Sequence, residues 1–274
     1  MATRFWVLGT GTWDNTTTTN WAASSGGAGG QSVPAAGDTV TFDGSSGGGT
    51  VTVAATINGS NTISSLTTSA FTGTLAFNTN NPSITMGTWT DTGSGAHTIS
   101  LGSGTFTING TSGTVLQLTG ASLTLNANTS TIDINATATA SRTLNLSKTL
   151  NVLSVTNPAG NSFGIINGFG AFTAATITFT NVYNVQLTTG GFTASTSFTW
   201  TGPSITQKGL MFSTTTAATV SVANAASLNW VALSNITKAG AGSITANNSF
   251  DCGGNTGITF NQPGAPLSRQ FTGM

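Results

Sequence analysis

The stretch SLTLNANTSTIDIN, residues 122–135, contains two short runs in which apolar and polar residues alternate. Leu123 and Leu125 share one face of the first run, and Ile132 and Ile134 share one face of the second. The residues between the runs are rich in Asn, Thr and Ser, which is typical of turns. This period of two predicts short β-strands that bury one face and are separated by tight turns.

The same alternation recurs along most of the chain. The other runs are TVTV (50–53), GTLAF (73–77), SITM (83–86), HTISL (97–101), GTFTI (104–108), TVLQL (114–118), TLNLS (143–147), LNVLSV (150–155), ATITFT (175–180), NVQLT (184–188), SFTWT (197–201), ATVSVA (218–223) and SITA (243–246). Over 95–155 their centres lie roughly 7 to 11 residues apart, and a short fixed period of this kind indicates a repeat architecture.

Two all-β architectures fit these runs. One is a β-solenoid, a β-helix-like rod with two or three short strands per coil, and the alternative is a pair of antiparallel β-sandwich domains. A meander of hairpins would be dense in Asn-Gly turns, whereas Asn-Gly occurs only at 58–59, 109–110 and 167–168. Strands in a sandwich of this size are also usually longer than four or five residues. The sequence therefore favours the solenoid.

The composition is unusual in its charge. Only 4% of the 274 residues are charged, against about 25% in an average soluble domain, and the formal net charge is zero. Neutral surfaces repel one another weakly, so this composition favours a subunit of an oligomer or a larger assembly. The absence of a basic cluster argues against nucleic-acid binding, and no apolar run is long enough to span a membrane.

The first 48 residues differ from the rest, since RFWVLGTGTWDNTTTTNW (4–21) holds three of the six tryptophans. A strand with Val40 and Phe42 on one face follows. We predict an N-terminal capping or docking module at 1–48, a β-repeat shaft at 49–250, and a C-terminal closing segment and tail at 251–274.

The open end of a solenoid exposes apolar cross-section and unpaired backbone, so it needs a cap. We predict that this cap or docking site is formed by Trp6, Trp13, Trp21, Val40 and Phe42. Two alternatives for the tryptophans are an anchor against another protein and a platform for stacking glycans.

The run RFWV…GTGTWD…TTTTNWA…SGG…SVP…GDTVTFD…SGGGTVTV, over about the first 53 residues, resembles the opening of many tailed-bacteriophage virion proteins. More loosely it is similar to the entry segment of bacterial β-helical adhesins and autotransporter passengers. DCGGNTGITF (251–260) is similar to a closing phrase of the same phage proteins. The middle of the chain is similar to these proteins only in its general pattern of short alternating runs.

The phage resemblance implies a virion-surface component, such as a tail fibre or spike, a head fibre or a capsid decoration protein. It further implies a homotrimer with a β-helical shaft that contacts capsid or tail subunits and a host surface glycan. The expected location is the virion, after assembly in the host cytoplasm. The start of the chain has an apolar run of only four residues, which predicts no secretory signal and counts against an exported adhesin.

Residues for catalysis are few. The side-chain carboxylates are those of six Asp residues, and His97 is the only histidine. A Ser-His-Asp triad would have to use His97, but neither a GxSxG sequence nor a carboxylate closer than Asp91 accompanies it. We therefore expect His97 to be an exposed polar residue beside a turn. Asp38 and Asp43 are explained by turn chemistry, with a calcium site as the alternative, and Asp133 should point outward.

A single cysteine, Cys252, excludes an internal disulfide, and one His with one Cys cannot build a zinc site. We therefore predict no catalytic residues, no cofactor and no metal. The function predicted from sequence is a non-enzymatic structural component of a phage virion surface. The alternatives are a bacterial adhesin or glycan-binding module and a tailspike depolymerase.

Overall fold

The computed structural model describes residues 1–135, 140–157, 165–169, 171–187, 190–204, 206–214 and 216–262, and at 165–169 it describes the backbone. Within these residues the chain forms a β-solenoid of short strands with a single 3₁₀ turn at Gly44–Ser46. The predicted β-solenoid is confirmed. The alternative of antiparallel sandwiches is wrong, because β1 with β3 (Thr3–Trp6 and Trp21–Ala22) is the one antiparallel pair in the described part of the chain.

The strands are short, and most contain three to six residues. In chain order they are β1 Thr3–Trp6, β2 Gly11–Trp13, β3 Trp21–Ala22, β4 Thr39–Thr41, β5 Thr50–Val53, β6 Thr62–Thr67, β7 Thr74–Ala76, β8 Ile84–Asp91, β9 His97–Ser100, β10 Thr105–Ile108, β11 Gly113–Leu118, β12 Leu123–Asn126, β13 Thr131–Asn135, β14 Arg142–Leu146, β15 Thr149–Thr156, β16 Ile165–Phe169, β17 Phe172–Thr180, β18 Asn184–Leu187, β19 Phe192–Thr201, β20 Gly209–Ser213, β21 Ala218–Val222, β22 Ala226–Asn229, β23 Val231–Ser234, β24 Ile236–Ala239, β25 Ile244–Asn247, β26 Phe250–Asp251 and β27 Ile258–Asn261.

These strands stack into parallel ladders that run along the solenoid. The first ladder contains β4, β6, β8, β11, β14, β16, β18, β20, β23 and β26. The second contains β8, β10, β13, β15, β17, β19, β22, β25 and β27. A third face is formed by β2, β5, β7, β9 and β12 and, further along, by the first residues of β15, β17 and β19 with β21 and β24.

Hydrogen bonds between neighbouring coils show how many residues one coil contains. Thr39 and Ser65 touch from neighbouring coils and are 26 residues apart, and Ser227 and Asn247 are 20 apart. The last step is shorter, since Asn247 and Asn261 are 14 apart. Parallel stacking at this spacing brings equivalent positions of successive coils into contact.

The alternation seen in the sequence separates the core from the surface. Ile132 and Ile134 are buried while Asp133 between them is half-buried, as predicted. The outward positions of the second ladder form a continuous polar file: Thr85, Thr107, Asp133, Ser154, Thr178, Thr199, Ser227, Thr245 and Thr259. Hydroxyl groups thus occupy positions that charged side chains would take in most soluble proteins.

Asparagine turns many of the corners between faces. Six asparagines adopt a positive φ, the left-handed conformation that this side chain tolerates better than most. They are Asn61, Asn81, Asn128, Asn181, Asn235 and Asn248. Several also bond to the adjacent coil, as Asn128 does by accepting from the Gly102 amide at 3.1 Å. Asparagine therefore allows the chain to turn at these corners and, at several of them, also bonds one coil to the next.

Strand pairing joins the predicted N-terminal module, 1–48, to the shaft. β4 pairs with β6, and one hydrophobic core runs without a break from Trp6 to Ala246. At the other end β27 pairs with β25, and Ile258 and Phe260 pack against the same core. Of the predicted closing segment, residues 263–274 lie outside the described part of the chain.

Candidate functional site

The predicted capping residues come together at the first coil. Trp6, Trp13 and Trp21 and their neighbour Phe42 have no solvent-exposed surface. The Trp6 and Trp21 rings meet edge to face at 5.2 Å, and the Trp13 and Trp21 rings at 5.6 Å. Phe42 lies within 6.2 Å of all three, measured between ring centroids. Edge-to-face pairs add to the stabilisation that burial alone provides.

Local structure explains why these rings converge. The chain reverses after β1, so β3 runs antiparallel to it and Trp21 lies directly opposite Trp6. Trp6 Nε1 donates to the Gly9 carbonyl oxygen at 2.9 Å, which fixes that ring against the following turn. Val40 is also fully buried, in β4 on the other edge of β1. All five predicted residues therefore lie in the core, and their side chains present no surface to a partner.

The carboxylates of the same region accept hydrogen bonds from backbone amides. Asp38 accepts from the amides of Ala2 and Ala35, at 2.6 and 3.1 Å. Asp43 accepts from the Ser45 amide at 2.8 Å and caps the 3₁₀ turn. Burial tends to raise the pKa of Asp38, but its backbone hydrogen bonds and the nearby Arg4 outweigh burial and lower it. Within the described residues no three potential metal ligands cluster.

The expectation for His97 was wrong. Its side chain is buried and forms an ion pair with the equally buried Asp91, with His97 Nε2 2.6 Å from Asp91 Oδ2. Thr68 Oγ1 donates to the same carboxylate oxygen at 2.6 Å. The sequence carried a signal for this, because in HTISL the period of two places His97 on the same face as Ile99 and Leu101.

Both ring nitrogens of His97 face acceptors. Nδ1 lies 2.7 Å from the carbonyl oxygen of Gly95, and Nε2 faces the Asp91 carboxylate. A neutral imidazole has one N–H and can donate to only one of these two oxygens. Burial by itself lowers the pKa of His97, but the hydrogen bonds to Asp91 and Gly95 together raise it above the ordinary value. This geometry suits a protonated ring, because an imidazolium can donate to both oxygens at once.

A half-buried lysine lies further along the solenoid. Lys208 Nζ sits 4.1 Å from the centroid of the Trp230 ring and 5.5 Å from that of Phe250. Burial lowers the pKa of Lys208. The two rings offer their negative faces to the ammonium group, which offsets part of the cost of removing it from water.

No family model, no curated protein and no solved structure matches this chain. Within the described residues no helix has the length and apolar character needed to cross a membrane.

Proposed function

We propose that this chain is a non-enzymatic structural component of a bacteriophage virion surface, attached by one end and projecting its β-solenoid outward. The observation that carries the proposal is the continuous stack of parallel coils, with the first coil filled by buried tryptophans. A stack of this kind is a rod whose length is set by the number of coils, which suits a fibre or a decoration protein.

The surface supports the same function. The outward file of the second ladder is almost entirely Thr and Ser, and the formal net charge of the chain is zero. Copies of a chain with such a surface repel one another weakly, so the surface favours a subunit that stays permanently in an assembly. We propose a homotrimer in contact with capsid or tail subunits, assembled in the host cytoplasm and located on the virion.

The engagement of the titratable side chains supports a non-enzymatic role. His97 and Asp91 are held by one another in the core, where a substrate has no access to them. The Asp14 carboxylate accepts from the backbone amides of Thr16 and Thr17, at 2.9 and 2.6 Å. These groups stabilise loops and corners, and each is already committed to a structural contact.

Mass spectrometry of purified particles tests the proposal. Cells carrying the gene should yield particles that retain the chain through density-gradient centrifugation and a high-salt wash, at a fixed copy number per particle. Recovery of the chain only in the soluble lysate would reject the virion assignment. Release of oligosaccharides from host polysaccharide by the purified chain would reject the non-enzymatic assignment.

A glycan-binding module is the second candidate, and half-buried aromatic side chains on the first ladder favour it. Tyr183 precedes β18, Trp230 precedes β23 and Phe250 lies in β26, and each side chain is partly exposed. Lys208, from the coil between those of Tyr183 and Trp230, lies over the Trp230 ring and near the Phe250 ring. The apolar faces of aromatic rings suit contact with sugars, and Tyr and Trp also carry a polar group at the ring edge. Trp230→Ala should abolish binding to an array of bacterial surface glycans if this candidate is correct, whereas no binding by the native chain would exclude it for those glycans.

A further inference from the structure

The His97–Asp91 pair lies where three successive coils meet. Thr68 follows β6 in the coil below, and it donates to the Asp91 side chain at 2.6 Å. In the coil above, the amides of Thr119 and Gly120 donate to the Asp91 backbone carbonyl at 2.9 and 3.0 Å. Asp91 therefore contacts both neighbours of its own coil, through its side chain below and its backbone above.

The hydrogen-bond geometry depends on the charge of the ring. With two protons, His97 satisfies both the Gly95 carbonyl and the Asp91 carboxylate. With one proton, the ring can donate to the carbonyl or to the carboxylate but not to both, and a buried carboxylate without a cation is costly. Among the described residues Asp91 Oδ1 has no hydrogen-bond partner, so Oδ2 receives the hydrogen bonds that hold this carboxylate in the core.

We propose that Thr68, Asp91 and His97 form a charge lock that fastens the corner of three coils together and opens when the imidazolium loses its proton. The lock makes this part of the solenoid sensitive to alkaline pH, a property that the proposed structural role does not require. Loss of this charge lock would also affect the packing of the first coil, because aromatic ring contacts connect the two. Phe71 lies 5.9 Å from the His97 ring and 5.3 Å from Phe42, which packs on the buried tryptophans.

The surroundings contain few other charges that could produce the same behaviour. β7 and β12, the strands on either side of β9, carry no titratable side chain. Lys148, one coil further on, is near enough to disfavour the imidazolium, and its ammonium donates to the Leu123 carbonyl at 2.9 Å. In the described part of the chain, Asp91 and Lys148 are thus the ionisable groups that act on His97.

The sign of the effect follows from the direction of the shift. The pKa of His97 is raised in the folded chain, so the lock contributes its full stability below the unfolded-state pKa of about 6.5. That contribution declines as the pH rises, and it is lost once the pH exceeds the folded-state pKa. At pH values between the unfolded-state and folded-state pKa of His97, the equilibrium ratio of corners with the charge lock formed to corners without it should fall by up to about tenfold per pH unit.

Nitrogen-15 NMR of the native chain tests the protonation directly, since His97 is the only histidine and its ring signals need no assignment. At pH 6.5 we expect both ring nitrogens to carry protons and the ring to titrate at a higher pH. Hydrogen exchange should then show protection at the Phe71, Thr119 and Gly120 amides falling with rising pH, after correction for intrinsic rates, while β22 stays protected.

A neutral ring at pH 6.5 would overturn the proposal, and so would equal loss of protection at the corner and in β22. His97→Gln provides the second arm. Glutamine lacks a titrating group, so the corner amides of this variant should show the same protection at pH 6 and pH 9. Persistence of the native pH dependence in that variant would show that another group controls the corner.

Discussion

Phe42 and Phe71 lie in successive coils with their ring centroids 5.3 Å apart, and through this contact the tryptophan cluster continues into the shaft. Phe42 follows β4 and donates its amide to the Thr67 carbonyl of the next coil at 2.8 Å. The first coil is therefore bonded to the second by both backbone and side chain, and damage to the cluster should propagate along the solenoid.

Replacing Trp13 or Trp21 by Ala should destabilise the chain strongly. Both rings are fully buried, and removal of a buried Trp typically costs about 3–5 kcal/mol of unfolding free energy. Urea unfolding followed by circular dichroism measures the loss. Leu8→Ala is the control, because Leu8 is 53% exposed and should change stability by less than about 0.5 kcal/mol. Equal effects of the two kinds of variant would show that the cluster is not a structural core.

Asp91→Asn should be far more costly than Asp133→Asn. Asp91 is fully buried against His97, and breaking a buried ion pair by removing one partner typically costs about 3–5 kcal/mol. Asp133 is half-buried in the outward polar file, where the same change should cost less than about 1 kcal/mol. Thermal unfolding at pH 6 compares the two. A small effect at Asp91 would contradict the buried ion pair.

Adjacent residues of β17 should respond in opposite ways. Ile177 is fully buried and Thr178 points outward, toward Thr199 of the next coil. We expect Ile177→Ala to lower the unfolding free energy by about 2–5 kcal/mol and Thr178→Ala by about 0.5 kcal/mol. Chemical denaturation checks both variants. A reversed order would mean that the strand presents its other face to the core.

The stacking of coils limits side-chain size at particular glycines. A Cβ added at Gly104 would collide with the carbonyl oxygen of Pro82 in the coil below. Gly104→Ala should therefore destabilise the chain by about 1–3 kcal/mol. At Gly59 a Cβ meets no atom within 4 Å, so Gly59→Ala should be neutral or slightly stabilising. Melting temperatures of the pair give the comparison, and equal values would contradict the observed spacing of the coils.

The fold was predictable from sequence because period-two alternation leaves only β architectures, and short runs with few hairpin turns favour parallel coils. The burial of the tryptophans was predictable as well, since large apolar rings at a solenoid end are costly to leave in water. The sequence showed that Asn is abundant, but it did not show which asparagines adopt a positive φ at a corner. It also did not show which of them bond to the next coil, because that depends on how the coils stack.

The environment of His97 escaped prediction for a similar reason. Its partner Asp91 is six residues away across a corner, and Thr68 belongs to the preceding coil. Alternation places His97 on the inward face, with Ile99 and Leu101, but the expectation of exposure took account only of the missing catalytic motif and the lack of a carboxylate close in sequence. Stacking of coils brings together residues that no local pattern relates.

Cryo-electron microscopy of purified phage particles tests the central claim most directly, by comparing particles from cells with the gene and cells without it. We expect the native particles to carry an extra surface density whose cross-section fits the solenoid, attached at one end and layered at about 4.8 Å along its length. Identical maps from the two preparations would contradict the proposed role.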